Sequence, residues 1–335
     1  MSPADDDARH MAHALRLAAR GLGNVWPNPA VGCVLVRQGR VVGRGWTQPG
    51  GRPHAERMAL DMAGAAARDA TAYVTLEPCA HHGRTPPCAE ALVEAGIVRV
   101  VSALTDPDPR VSGGGLAILR AAGVEVTEGV RKAEALALQA GFLSRITRGR
   151  PMVTLKLATS FDGRIAMPDG ESRWITGPEA RRHVHLLRAR HDAVMVGGAT
   201  ARADRPQLNV RGIAVPRQPV RVVLSDQPLP DLPVEGPDHG PLWQLGGPLD
   251  GVLRELGERG LTRVFCEGGG ELAARLLKAG LVDELVGYTA GVLLGAAARP
   301  AVGAIECAAL ADAPRFELVE TRPLGGDIFH RWRRA

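Results

Sequence analysis

Three side chains able to hold a borderline divalent cation stand well apart in this 335-residue chain: His54, Cys79 and Cys88. To act together they need three element ends at one point, which constrains the fold of everything between them. One imidazole and two thiolates fill three corners of a tetrahedral zinc site and leave the fourth for water, as hydrolysis requires. Glu56, two residues beyond His54, has the reach to move protons at that water without ligating the metal. A structural zinc site normally takes four protein ligands, and His81 or His82 could complete one. Either in that place would leave Glu56 beside the metal with no task. Unrelated packing cysteines would leave the arrangement unexplained. A catalytic zinc is the expectation.

The surrounding pattern supplies those element ends. Apolar residues at Met11, Ala14, Leu15 and Ala18 predict a helix over 5–20, with acids in its first turn. Residues 31–36 and 41–45 read as strands joined by a hairpin loop at 37–40. A helix over 54–67 places His54 and Glu56 in its first turn. A short buried strand over 72–76 ends at Glu77-Pro78-Cys79, and a helix from about Pro87 presents Cys88 at its start. Two helix N-termini therefore face the metal, and their partial positive charge favours thiolate.

A strand over 98–104, a helix over 116–122, a strand over 124–128 and a helix over 131–147 complete the first half. Arg148-Gly149-Arg150-Pro151 is a polar breaker and the natural boundary, giving domains 1–147 and 151–335. The second half alternates again: strands at 152–158, 193–196, 220–224, 263–266, 284–289, 316–320 and 327–331, and helices at 178–191, 252–259 and 271–279. Residues 227–241, rich in proline and glycine, read as an irregular loop. Both halves are α/β, with no internal repeat.

Charge and composition exclude several functions. A net charge of +5 without a basic block suits an anionic small substrate and argues against nucleic acid as partner. Aromatics at 4% give little for stacking on a single strand. No apolar run approaches the roughly 18 residues of a membrane span, so no membrane partner is expected. The acidic, polar Met1–Asp7 does not read as a signal peptide. Five irregularly spaced cysteines fit a reducing cytoplasm, with Cys33, Cys266 and Cys307 as packing residues.

In the second half, Glu267-Gly268-Gly269-Gly270 lies between a strand and a helix, where backbone N–H groups can approach a phosphate, although a plain turn reads equally well. Val196-Gly197-Gly198-Ala199-Thr200 is a second glycine-rich strand end. Two such ends suggest a cofactor lying across strand termini.

His-x-Glu, Pro-Cys and a further Cys resemble the zinc nucleobase deaminases, although eight residues, Ala80 to Pro87, separate the cysteines here. Two runs narrow the resemblance: Thr75-Leu76-Glu77-Pro78-Cys79-Ala80-His81-His82-Gly83-Arg84-Thr85-Pro86-Pro87-Cys88, and Trp26-Pro27-Asn28-Pro29-Ala30-Val31-Gly32. Both are similar to the deaminase domain of the bifunctional riboflavin-biosynthesis deaminase/reductases. Lys156-Leu157-Ala158-Thr159-Ser160-Phe161-Asp162-Gly163-Arg164, Glu171-Ser172-Arg173-Trp174-Ile175-Thr176 and Asp204-Arg205-Pro206-Gln207-Leu208-Asn209-Val210-Arg211 are similar to the reductase domain. The resemblance spans nearly the whole chain.

It implies an N-terminal cytidine-deaminase-like three-layer α/β/α domain and a C-terminal dihydrofolate-reductase-like α/β domain. The implied substrate is the phosphoribosylamino-pyrimidine left when the imidazole ring of GTP is opened. Its ring amino group becomes oxo, and NADPH then reduces the ribosyl group to ribityl. Carried over by motif, Asn28 contacts the pyrimidine, while His81 and Arg84 hold the ribose phosphate, which a guanidinium binds through paired donors. Reductase substrate contacts fall on Ser172, Arg188, Leu208, Arg211 and Glu267. Cofactor contacts fall on Ala158, Trp174, Thr200 and Asp204, and on the run Gly269, Gly270, Glu271, Leu272, Ala273, Ala274 and Arg275. Lys156 would help position or protonate the substrate. The resemblance also favours a homodimer formed through the reductase half.

Two positions depart from the family pattern and receive no role: Thr47, where a histidine is common, and Ser225-Asp226, where the order is usually reversed. Residue chemistry leaves other readings open. Trp174 could be a core aromatic, and Arg188 could lay its stem on apolar neighbours with its head in water. His183, His185 and His191 read as helix-surface or capping residues. The preference for NADPH over NADH comes from the resemblance, since no basic cluster for a 2′-phosphate stands out in the sequence.

Overall fold

Helix α1 (Pro3–Ala18) buries Met11, Ala14, Leu15 and Ala18, the stripe that its spacing predicts. It can lie close on strand β1 (Gly32–Arg37) because Gly32 has no side chain; a Cβ there would stand 2.0 Å from the Ala14 carbonyl oxygen. Strand β2 (Arg40–Trp46) follows through a turn tighter than expected, with Gln38 and Gly39 at φ 49° and 73°. Positive φ at both central residues suits the twist of a two-residue hairpin.

Next come α2 (Ala55–Ala63), β3 (Thr71–Val74), α3 (Cys88–Glu94), β4 (Arg99–Ser102), α4 (Gly114–Ala121), β5 (Glu125–Glu128) and α5 (Lys132–Arg148). The strands form one sheet in the order β2-β1-β3-β4-β5. β1 runs antiparallel to both neighbours, and β3, β4 and β5 run parallel. Successive residues of a strand face opposite sides of its sheet. Gly32 therefore meets α1 on one face, while Gly43 and Gly45 meet α2 on the other. Added Cβ atoms at Gly43 and Gly45 would stand 2.2 and 2.4 Å from the carbonyl oxygens of Ala59 and Ala55. Helices on both faces make three layers around one apolar core that runs from Met11 to Phe142.

The structure, a computed structural model, describes residues 3–80, 86–108, 112–229, 231–232 and 236–335. The chain divides into two compact units, Met1–Gly149 and Arg150–Ala335. Helix α5 runs to Arg148 and stops at Gly149, which takes the left-handed conformation (φ 68°) of a helix C-terminus.

The second unit contains β6 (Met152–Ser160), β7 (Arg164–Ala166), α6 (Pro178–Ala189), β8 (Ala193–Gly197), α7 (Gly198–Asp204), β9 (Val220–Leu224) and β10 (Leu242–Leu245). After these come α8 (Leu249–Glu258), β11 (Arg263–Cys266), α9 (Gly270–Lys278), β12 (Glu284–Ala290), β13 (Arg299–Pro300), β14 (Phe316–Leu324) and β15 (Asp327–Arg334). The main sheet runs β10-β9-β8-β11-β6-β12-β15-β14, and β7 pairs with β13 apart from it. From β10 to β12 the strands are parallel; β15 and β14 close the edge antiparallel.

Buried carboxylates tie the starts of these strands together. Asp283 takes two donors from Arg150, at 2.7 and 3.0 Å, and the Val153 amide at 2.8 Å. Asp192 Oδ2 accepts from the Thr262 amide and hydroxyl and from the Arg263 amide. Four short elements escape the sequence pattern: β7, α7, β10 and β13. Each is brief, and its place depends on pairing or packing with distant residues. Cys33 and Cys266 are buried as expected, whereas Cys307 is exposed, so the packing role expected of it is corrected. Among the described residues no helix is long and apolar enough to cross a membrane.

Candidate functional site

The sheet of the first unit brings the predicted donors together. Gly43 and Gly45 seat α2 on β2, and His54 is the N-cap of α2 (φ −70°, ψ 160°) rather than part of its first turn. Glu56, inside that turn, is 3% exposed. Cys79 follows β3, and Cys88 opens α3 with Pro87 as its N-cap. Ligand atoms of His54, Cys79 and Cys88 all lie within 4.8 Å of one another. His54 Nδ1 is 3.3 Å from Cys88 Sγ and 3.7 Å from Cys79 Sγ, and the Cys88 amide donates to Cys79 Sγ at 3.3 Å.

The electrostatics separate the two thiols. Hydrogen bonding from Cys88, aided by His54, lowers Cys79 to about 4, while Cys88 is pushed up as the partner that keeps the shared proton. Interaction with Cys79 raises His54. Burial lifts Glu56 to about 7, so it can both take and give a proton near neutrality. Two sulfurs, one of them a ready thiolate, and one imidazole nitrogen form a donor set that fits zinc. His54, Glu56 and Cys79 border a cavity of about 310 Å³ that Asn28, Thr47, Asp106 and Asp108 also line. His81, His82 and Arg84 lie outside the described residues. Thr47 Oγ1 accepts the Val31 amide at 3.0 Å, which pins the wall of the cavity.

Sequence reasoning missed Glu77. It is 4% exposed, and its carboxylate accepts four backbone N–H groups, those of Asp106, Gly113, Gly115 and Leu116. Gly115 approaches so closely that a Cβ would stand 1.8 Å from the Pro78 carbonyl oxygen. Glu77 thus fastens the Cys79 turn to the loop that carries Asp106 and Asp108. The available signal was an acid set between Leu76 and Pro78 beside a candidate ligand, since a buried carboxylate must find donors.

In the second unit a cavity of about 1060 Å³ takes in Ala158, Ser172, Trp174, Arg188, Thr200, Asp204, Arg211, Glu267, Gly269, Gly270, Glu271, Leu272 and Arg275. That volume is at the upper end of the roughly 300–1,000 Å³ usual for cofactor pockets. Three of the residues assigned contacts do not line it. Leu208 is buried with Val194, Val196, Ala201 and Val223, and Ala273 and Ala274 are buried on α9. Those three side chains lie outside its lining; on α9 this is because a helix running past a pocket turns only part of its surface to it.

Trp174 is 69% exposed, which rules out a core role, and the Arg181 guanidinium stands 4.3 Å from its ring. Arg188 does not hold its head in water. Its Nε and Nη2 donate to Glu267 at 2.5 and 3.1 Å, and its Nη1 donates to the Asn209 carbonyl at 2.8 Å. Lys156 lines the same cavity, and burial lowers its pKa against the pull of Glu267. Of the histidines of this region, His183 and His191 pack against neighbouring rings, while His185 borders the cavity. His183 Nδ1 meets the Tyr288 hydroxyl at 2.8 Å, and His185 Nδ1 accepts the Arg211 amide. His191 lies between the Leu187 carbonyl and the Thr154 hydroxyl. Gly269 is the N-cap of α9, and a Cβ on Gly270 would stand 2.7 Å from the Pro300 carbonyl oxygen. Backbone amides, a wide cleft and an exposed indole fit a nicotinamide dinucleotide.

Residues 4–104 match the family described as cytidine and deoxycytidylate deaminase zinc-binding region, and residues 151–330 match the RibD C-terminal domain. The riboflavin biosynthesis protein RibD of Escherichia coli is 44% identical over 96% of this chain and 98% of its own length. The chain belongs to the RibD family. RibD of Aquifex aeolicus is 40% identical over 86% of this chain and 88% of its own. A solved RibD from Acinetobacter baumannii covers all of both chains with a TM-score of 0.90 and 41% identity. A Thermotoga maritima structure described as a diaminohydroxyphosphoribosylaminopyrimidine deaminase/5-amino-6-(5-phosphoribosylamino)uracil reductase also covers both chains fully, with a TM-score of 0.89 and 34% identity. As a RibD protein, the chain is a bifunctional deaminase and reductase of riboflavin biosynthesis, with a zinc-binding deaminase half and an NADPH-using reductase half.

Proposed function

We propose that the first unit hydrolyses the ring amino group of 2,5-diamino-6-(5-phosphoribosylamino)pyrimidin-4-one, and that the second reduces the resulting 5-amino-6-(5-phosphoribosylamino)uracil to its ribityl form. The observation that carries this reading is the convergence of His54, Cys79 and Cys88 beside the buried Glu56, in a cavity sized for one heterocycle.

His54, Cys79 and Cys88 would hold the zinc, which when bound makes water acidic enough to act as a nucleophile near neutral pH. Glu56 takes one water proton and gives it to the ring nitrogen as the oxygen adds to the ring carbon, then carries the remaining hydroxyl proton to the amino group, which leaves as ammonia. Asn28 holds the pyrimidine, and the same reading gives His81 and Arg84 the ribose phosphate. A small cavity favours a free nucleotide-like substrate over a base within a strand.

In the second unit NADPH supplies a hydride, and the residues supply placement. Ala158, Trp174, Thr200, Asp204 and the start of α9 cradle the cofactor. Ser172, Arg211 and the Arg188–Glu267 pair orient the substrate so that its ribose C1′ receives the hydride as its bond to the ring oxygen breaks. Lys156, facing the cleft with a lowered pKa, delivers the proton that the freed oxygen takes up. The protein works in the cytoplasm as a homodimer formed through its reductase half.

The test is an assay with the diaminopyrimidine phosphate that follows ammonia release and NADPH oxidation separately. Both signals, with ammonia first, are expected. Ammonia without NADPH oxidation would sink the reductase assignment, and NADPH oxidation only when the aminouracil phosphate is supplied separately would sink the deaminase assignment.

A further inference from the structure

Residues 167–177, between β7 and α6, form neither helix nor strand, yet five of them line the large cavity: Gly170, Ser172, Trp174, Ile175 and Thr176. Both ends of this segment are tied down. At the first, the Met167 amide donates to the Glu171 carbonyl at 2.8 Å, and Arg299 Nη2 donates to the Pro168 carbonyl at 3.1 Å. At the second, the Gly177 amide donates to Asp327 Oδ2 at 2.8 Å, beside the start of α6. Among the described residues, the stretch 172–176 between these ties receives one side-chain hydrogen bond, from Arg181 Nη1 to the Thr176 carbonyl at 2.6 Å.

The same guanidinium covers the Trp174 ring, with its central carbon 4.3 Å from the ring centroid. Arg181 stands on α6 next to Ala180 and within one turn of Val184, both buried in the apolar core, so its base is fixed. A planar cation can stack by its face while it donates from its edge, which an ammonium group cannot do. Trp174 still keeps 69% of its surface exposed. An exposed indole without support moves between rotamers, and ordering it when a ligand binds lowers affinity.

We propose that Arg181 is a positioning residue of the reductase: it holds the Trp174 indole as a fixed shelf on which a planar ring of the dinucleotide stacks. Its effect on the cofactor passes through that ring. Flat rings pack well on an indole face, and a shelf ordered in advance removes the ordering cost from binding. The inference rests on the reductase reading above and adds to it a residue outside the assigned contacts.

The experiment compares the zinc-loaded full-length protein with Arg181→Met, Arg181→Lys, Trp174→Ala and the Arg181→Met/Trp174→Ala double variant. Calorimetry follows NADP+ binding, and NADPH oxidation with the aminouracil phosphate gives KM and kcat. Arg181→Met should weaken NADP+ and raise the KM for NADPH by about 3–10-fold, as the ordering of one aromatic side chain allows. The kcat at saturating NADPH and the rate of ammonia release should hold, and Arg181→Lys should recover part of the loss. In the Trp174→Ala background the Arg181→Met substitution should change nothing further. The Trp174 indole N–H signal, assigned in NMR spectra by its absence in Trp174→Ala, gives a second readout. It should report a rigid ring in the cofactor-free wild type and a ring mobile on the ps–ns timescale in Arg181→Met. An indole equally mobile in both, undiminished NADP+ affinity in Arg181→Met, or the same loss with and without Trp174 overturns the proposal and leaves the reductase reading standing. Wild-type protein that binds no dinucleotide removes the reductase reading together with the proposal.

Discussion

The two cavities are built in opposite ways. The deaminase centre is small, and its reactive groups shift one another: a thiol near 4 and a carboxyl near 7 stand together in about 310 Å³. The reductase cleft is more than three times larger, and its buried Arg188 is matched by Glu267. The first site must make its own acid, base and nucleophile. The second receives its reducing power ready-made and needs only to place two molecules against each other.

Glu56→Gln presses hardest on that contrast. Removing the proton carrier should lower ammonia release by roughly 10²–10⁴-fold, the usual worth of general acid–base catalysis. Zinc content by metal analysis should stay at one per chain. NADPH oxidation with uracil substrate supplied directly should be unchanged. A comparable fall in that second rate would show that the two sites are not independent, and the contrast would fail.

Asp283→Ala attacks the other unit through its framework. Arg150 and the Val153 amide would lose their buried carboxylate acceptor, and removing one member of a buried ion pair typically costs about 3–5 kcal/mol. Urea unfolding followed by NADPH oxidation should show the unfolding free energy of the second unit falling by that amount, and its midpoint with it. Ammonia release measured below the transition should hold. An unchanged midpoint would mean that the buried pair adds nothing to the unit.

Glu77→Gln sharpens the comparison within the deaminase half. A glutamine has one acceptor oxygen where four backbone donors converge, so the Cys79 turn and the Asp106 loop should loosen together. Groups that orient metal ligands are worth about 10–100-fold in affinity or activity. Zinc retention against a chelator and the KM for ammonia release should both suffer, with NADPH oxidation as the unaffected control.

How far each site can be read from residue letters follows from the same difference. Zinc chemistry restricts residue types, so His54, Glu56, Cys79 and Cys88 announce themselves even though 34 residues separate His54 from Cys88. Glu77 is hidden because its partners are backbone amides, which carry no residue identity. The cleft is hidden for a related reason. Gly198 matters through a side chain it lacks, and Arg202 and Ser225 meet only once α7 and β9 are in place. Regular elements such as β9 and β11 stand where their apolar runs put them. Among the described residues the short β7 and β13 pair only with each other, and they leave no periodic trace.

The smallest effect separates the two units by pH alone. Burial lowers His191 to about 3, and burial with nearby arginines lowers His183 to about 4. Each is held neutral in the folded chain and takes a proton near 6.5 once unfolded. Their contribution is therefore complete above about 6.5 and declines as pH falls toward 3–4. Each proton bound by the unfolded chain alone steepens that decline by up to about 1.4 kcal/mol per pH unit. The window is pH 6.5 to 5; Asp192, whose pKa burial raises, acts in the opposite sense and is common to wild type and variant. Urea unfolding of the reductase half across that window should give a stability that falls with acidity. His191→Asn should flatten the slope by close to one proton. An identical slope in wild type and variant would show that His191 is protonated in the folded state, and its buried contacts with Leu187 and Thr154 would need a different account.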